Sequence, residues 1–143
     1  MTLKYQKQVI NKGIYCLIIF LNSSRYIKIG KNRRIHFYKG YYLYVGSALN
    51  NLEKRIDRHK SSNKKLHWHI DYLLEHSKII TVKTIETKQK IECVLSKRIS
   101  NIFHLTIQNF GNSDCNCFTH LYYSKTNPNK NKEFNNLFKN KIK

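Results

Sequence analysis

Residues 13–21 form an almost unbroken run rich in Ile and aromatic side chains, which predicts a buried strand. After an Asn22-Ser23-Ser24 turn, Arg25-Tyr26-Ile27-Lys28-Ile29 reads as a second strand, and Gly30-Lys31-Asn32 marks the next turn. Residues 34–38 and 41–45 are again strand-like. They flank Lys39-Gly40, a link whose glycine can take positive φ, so these two segments are expected to pair as a β-hairpin. The first third of the chain thus reads as a β-meander.

The period then changes. Leu52, Ile56 and His59 fall at helical spacing behind Asn50-Asn51, both able to cap a helix start, so a short basic helix is expected over about 51–60. After the polar link at 61–64, His67, Ile70, Asp71 and Leu74 share a second helical face, and Ile80, Val82 and Ile85 suit a strand over 79–87. The clearest helix covers 89–103. Its Ile91, Val94, Leu95, Ile99 and Ile102 form one apolar stripe of the kind that packs on a sheet, with Arg98 near it. Residues 110–117 read as a turn-rich loop and 118–123 as a closing strand. Residues 125–143 carry six Lys, one Glu and many Asn. They fit either a disordered tail or a marginal helix through Phe134, Leu137 and Phe138.

With 143 residues, 41% of them hydrophobic, the chain can build one compact core. Twenty-seven Lys and Arg against eight Asp and Glu leave a formal charge of +19, which a polyanion such as nucleic acid would offset. Only six of the cations are Arg, so a general drift toward Lys, Asn, Ile and Tyr explains the balance as readily. The tail holds +5 of the charge and residues 1–124 the remaining +14, so the basic character is not a tail effect. The apolar run at 14–21 follows Lys12 but is short and lacks an A-x-A-like cleavage site, which favours a strand over a signal peptide. No segment approaches the ~20 apolar residues that span a bilayer. Cys16, Cys93, Cys115 and Cys117 are too irregularly spaced for a disulfide framework, and a cytoplasmic location is expected.

Gly13-Ile14-Tyr15 on the first strand, Tyr44-Val45-Gly46 at the end of the expected hairpin, Arg55 with His59 on the next helix and Glu92 on the long helix resemble, over about 13–100, the ordered pattern of the GIY-YIG nuclease superfamily. A closer resemblance rests on residues 41–47, Leu66-His67-Trp68-His69-Ile70-Asp71-Tyr72, Glu92-Cys93 and residues 113–121. It is to a branch of that superfamily sometimes fused to endonuclease III-type DNA repair glycosylases, and it covers about 13–124. The chain departs from the family in two places: residues 16–43 insert a strand pair between the tyrosine motifs, and Val45 stands where Ile is usual.

The resemblance implies an α+β fold, a small mainly antiparallel β-sheet with an inserted strand pair flanked by helices, over residues 1–124, followed by the basic segment 125–143. It further implies that Tyr15, Tyr44, Arg55, His59 and Glu92 surround one phosphate as catalytic residues. Glu92 would bind a divalent metal, Mg²⁺ or Mn²⁺.

Phosphodiester hydrolysis needs a polarised phosphoryl oxygen, an activated water and a stabilised leaving oxygen, and one metal on one carboxylate can serve the first and last. Of the eight carboxylates, Glu53 and Asp57 sit among Lys54, Arg55 and Arg58 and read as i,i+4 partners of basic groups, and Glu133 lies in the tail; Glu92, Asp71 and Asp114 are the metal candidates. For Glu92 the plain alternative is a helix glutamate paired with Lys88 or Ser96. Tyr15 would act as the base or orient water, and Tyr44 would bond the phosphate or the first tyrosine; core packing suits either. Arg55 can hold two phosphate oxygens, and His59, one turn on, could donate to the leaving oxygen. Lys54, Arg58, Lys60, Lys64, Lys65, His67 and His69 are the candidate nucleic-acid contacts, Lys54, Arg58 and Lys60 also reading as a solvated helix face. His67, His69, Asp71, Cys115, Cys117 and His120 could in principle bind zinc. The C-x-C-x-x-H spacing lacks the usual paired C-x-x-C, however, so the zinc-free reading is preferred. The expectation is therefore a metal-dependent DNA endonuclease, with DNA repair proteins as further partners; the alternative is a non-catalytic nucleic-acid-binding module.

Overall fold

A computed structural model describes residues 11–107, 110 and 119–139. In chain order the elements are β1 (Gly13–Leu21), β2 (Arg25–Ile29), β3 (Arg33–Phe37), β4 (Gly40–Ala48), α1 (Leu52–Lys60), α2 (His69–Leu74), β5 (Lys78–Glu86), α3 (Glu92–Ser100), β6 (Leu105–Ile107), β7 (Leu121–Ser124) and α4 (Lys132–Asn136). The fold is α+β. Five strands form an antiparallel sheet in the order β5-β1-β4-β7-β6, and β2 with β3 makes a separate two-stranded sheet.

The unbroken apolar run of β1 follows from its place. It is paired on both edges and covered on both faces, so neither side of the pleat meets water. Tyr15, Leu17, Ile19 and Leu21 face a core completed by α1, α2 and the β2–β3 hairpin, through Leu52, Ile70, Leu73, Ile27, Ile29 and Phe37. Ile14, Cys16 and Ile18 face the opposite core, closed by Ile91, Leu95 and Ile99 along α3 and by Phe134 of α4.

The expected hairpin of residues 34–38 with 41–45 does not form, and the chain makes no meander there. β3 turns back onto β2 across Gly30, pairing Ile35 with Ile27, while β4 runs the length of β1, pairing Tyr44 with Leu17. Gly40 does take a positive φ of 146°, but the link is a corner between two sheets. The Lys39 N–H donates to Ser24 Oγ, and its carbonyl accepts from the Tyr123 hydroxyl, which holds the corner open.

Other boundaries shift for local reasons. A register shift in the β1–β5 ladder between Ile18 and Ile19 packs Ile79 on the core and leaves Ile80 exposed. On α3, Ile91, Leu95 and Ile99 are buried, whereas Val94 and Arg98 face out. Between the two readings of the segment past Ser124, the helix is the one found. Asn131 caps α4, and Phe134 is fully buried against Phe103, with Leu137 and Phe138 beside it. Burying one Phe side chain contributes about 1.5–3 kcal/mol, enough to hold so short a helix down. Among the described residues no helix is long and apolar enough to cross a membrane.

Candidate active site

Antiparallel pairing brings the start of β1 and the end of β4 to the same end of the sheet, with Tyr15 opposite Gly46. The Tyr15 ring leans over that glycine. A Cβ at position 46 would lie 2.4 Å from its Cζ, so the close approach requires glycine there. α1 starts directly beyond β4. Its first turn is fixed by Asn51, whose side chain accepts from Lys54 N–H at 3.0 Å, and by Asn11, which accepts from Leu52 N–H. β5 ends opposite Gly13 at this same edge, so α3 also begins here and Glu92 sits in its first turn at the rim.

The centre of the site is a buried pair. The Tyr15 hydroxyl lies 2.7 Å from His59 Nε2, and both residues are only 2% exposed. The Tyr44 ring is 6.2 Å from the imidazole, edge to face. Burial drives the Tyr15 phenol well above its ordinary pKa. The Arg55 guanidinium beside it works in the other direction, and the charges of Glu92 and Asp71 add to the rise. Tyr44 is pushed up in the same way, first by burial and then by Tyr15 and Glu92. Burial also lowers the His59 pKa to about 4, against the pull of Asp71 and with help from Lys64, Arg55 and Arg58. At neutral pH the pair is therefore a phenol and a neutral imidazole. His59 Nδ1 has no hydrogen-bond partner among the described residues.

Arg55 donates from Nη1 to the Ser47 carbonyl at 3.0 Å and lies over the Trp68 ring, 4.5 Å from its centroid. Arg58 lies over the same ring at 4.4 Å. It is not the solvated cation expected of it. Its guanidinium grips Asp71 with two bonds of 3.0 Å and also donates to the Lys65 carbonyl. Asp71 is fully buried and accepts as well from the N–H groups of His67 and Trp68, at 2.8 and 2.9 Å, so its carboxylate is consumed in starting α2. Burial alone would raise the Asp71 pKa, but these bonds hold it below its ordinary value. Neither Arg58 as a nucleic-acid contact nor Asp71 as a metal ligand fits that geometry. The i,i+4 partnerships expected for Glu53 and Asp57 are also missing: between described residues the ion pair is Arg58 with Asp71.

Lys64 is likewise turned inward, its Nζ donating to the carbonyls of His59 and Ser61 at the end of α1. Lys54, Lys60, Lys65, His67 and His69 remain exposed. Glu92 is half-buried and forms neither an ion pair nor a hydrogen bond among the described residues. Ser96, one of its expected partners, instead bonds the Thr119 carbonyl and Tyr122. His120 Nε2 is 3.9 Å from Cys93 Sγ. Cys93 is disulfide-bonded, a bond the irregular cysteine spacing did not predict. Asp114, Cys115 and Cys117 lie outside the described residues, and among those described no three His, Cys, Asp or Glu side chains gather as a metal site.

Trp68 was missed as a site residue. It is the chain's one tryptophan, set between two histidines immediately before a helix, and that isolation was the available signal.

A family model described as a domain of unknown function, DUF123, matches residues 14–143. The chain belongs to the DUF123 family. Neither a curated protein nor a solved structure matches it. The match takes in Tyr15, Tyr44, Arg55, His59, Trp68, Asp71 and Glu92, and it extends through α4.

Proposed function

We propose that this DUF123 domain is a divalent-metal-dependent endonuclease-like domain of GIY-YIG type that hydrolyses phosphodiester bonds in DNA, with repair as its setting. The observation that supports this reading is convergence: Tyr15, Tyr44, Arg55, His59 and Glu92 come from β1, β4, α1 and α3 to one end of the sheet. Tyr15 orients the attacking water. As the water oxygen bonds to phosphorus and the bond from phosphorus to the leaving oxygen breaks, Tyr15 Oη takes the water proton and passes its own to Nε2 of the neutral His59, and the imidazolium so formed gives a proton to the leaving oxygen. Arg55 keeps free N–H donors beyond the one on Ser47, and these hold the non-bridging phosphate oxygens.

Glu92 suits Mg²⁺ or Mn²⁺. Such ions bind through one or two carboxylates plus substrate phosphates, and among the described residues no ion pair or hydrogen bond competes for the Glu92 oxygens. When bound there, the ion would polarise the phosphoryl oxygen and offset charge on the leaving oxygen.

Burial favours a second reading. Tyr15 at 2% and Tyr44 at 8% exposure are nearly sealed from solvent, which suits a module that keeps the site as core and binds nucleic acid without cutting it. Labelled duplex, nicked, flapped, branched and abasic DNAs incubated with Mg²⁺ or Mn²⁺ separate the two. Cleavage that falls about 10²–10⁴-fold in Tyr15→Phe and is likewise lost in Glu92→Ala supports the nuclease. Glu92→Ala cutting as well as wild type sinks it, and salt-sensitive binding without products points to the module.

A further inference from the structure

We propose that the outer face of the β2–β3 hairpin is a docking surface for an unpaired DNA strand. Pairing of Tyr26 with His36 and of Lys28 with Arg34 puts these four side chains on the face turned away from the core, while Ile27, Ile29, Ile35 and Phe37 point inward. Tyr38 extends the row. Tyr26 and Tyr38 are 60% and 63% exposed, the two most exposed large hydrophobic side chains among the described residues. They flank His36 in a continuous edge-to-face ladder, each ring centroid 4.7 Å from the imidazole. Single exposed aromatics are ordinary on a protein surface, but a contiguous row of them marks a contact surface.

Charge identifies the partner. Arg34 Cζ sits 4.8 Å from the Tyr26 centroid, and Lys28, Lys31, Asn32, Arg33 and Arg34 line a recess of about 370 Å³ beside the ladder. Residues 25–39 contain six Lys and Arg, and no Asp or Glu occurs anywhere before Glu53. Stacking platforms next to a cationic track are how proteins hold single strands: bases lie on the rings and phosphates follow the cations. A duplex would use the cations and leave the rings idle, because its bases are already stacked. This proposal takes from the preceding one only the choice of DNA, and needs neither Tyr15 nor Glu92.

The test is fluorescence anisotropy of a labelled oligothymidylate titrated with the full chain. Tyr26→Ala and Tyr38→Ala each weaken binding roughly tenfold, whereas Tyr26→Phe and Tyr38→Phe bind like wild type because the ring face carries the contact. Affinity for a blunt duplex of the same length changes by less than about twofold in all four. Arg34→Ala lowers the slope of log affinity on log salt by about 0.7. Undiminished oligothymidylate binding in both alanine variants overturns the proposal. Equal losses on duplex and single strand do so too, and an oligouridylate bound more tightly than oligothymidylate overturns the choice of DNA. Binding is read without divalent metal and cleavage with it, so failure of the nuclease reading and failure of this one are separately visible.

Discussion

Tyr15 with His59 and Tyr26 with His36 are the same residue types at similar ring separations, 5.3 and 4.7 Å, in opposite surroundings. In the first pair both side chains are buried and their polar atoms meet in a 2.7 Å hydrogen bond, so desolvation governs which groups carry charge. In the second the rings meet edge to face on a surface, and the tyrosine is open to solvent. The difference comes from the chain around them. Tyr15 belongs to a strand paired on both edges and is covered by α1, whereas Tyr26 is on the outward side of a two-stranded sheet whose other side is already spent on α2. Low dielectric suits a residue to proton chemistry; exposure suits it to recognition.

The contrast breaks severely if the wall of the buried pair is removed. Asp71→Ala strips Arg58 of its carboxylate and leaves the N–H groups of His67 and Trp68 without their acceptor, loosening the Trp68 ring that Arg55 and Arg58 rest on. Removing one partner of a buried ion pair costs 3–5 kcal/mol as a rule. Because the Arg58 side chain keeps 29% exposure and can recruit water, the low end, about 3 kcal/mol, is expected. Urea unfolding reads this directly. A loss below about 1 kcal/mol would mean the pair behaves as a surface salt bridge and does not support the site.

A slightly smaller effect isolates the buried histidine. With a folded pKa near 4 against an ordinary 6.5, His59 binds fewer protons folded than unfolded between those values. Its contribution is therefore complete above pH 6.5 and is lost as pH falls toward 4, by roughly 3 kcal/mol at most. His69 and His120, both lowered chiefly by burial, add to the loss in the same direction. The stability difference between wild type and His59→Gln should consequently change with pH across that window and be flat above it. A difference that stays constant from pH 7 to about 4 would show that His59 titrates normally and the pair is not desolvated.

These residues also mark where sequence reading works and where it stops. β1, β2 and α1 were legible within a residue or so because their signals are local: an apolar run, a turn on either side, an asparagine cap. Pairing was not legible. Lys39-Gly40 has hairpin chemistry, yet whether its neighbours join each other or strands elsewhere depends on what lies across the sheet. Arg58 looked like part of a solvated helix face because its partner stands thirteen positions away on another helix. Ile80 shares the strand reading with Val82 and Ile85, but one register shift leaves it exposed and packs Ile79 on the core instead. β6, at three residues, is too short for any period to show.

The gentlest perturbation sharpens the comparison best, since it separates a surface kept for contact from one kept for stability. Truncating Tyr15 to alanine empties a buried ring site and should cost about 3–5 kcal/mol. Tyr26→Ala removes a ring that meets His36 across the strand and the Arg34 guanidinium above it, so a cross-strand pair and an exposed cation–π contact are lost. Such interactions contribute a few tenths to about 1 kcal/mol each, which places the expected destabilisation near or below 1 kcal/mol. Thermal and urea unfolding of Tyr26→Ala and Tyr38→Ala beside Tyr15→Ala supply the measurement. If the hairpin variants were destabilised as much as the buried one, the ladder would have to be holding β2 to β3, and its exposure would follow from the small size of that sheet. If they unfold like wild type, folding does not account for two tyrosines and a histidine kept in a row on a cationic face, and a partner stacked against them does.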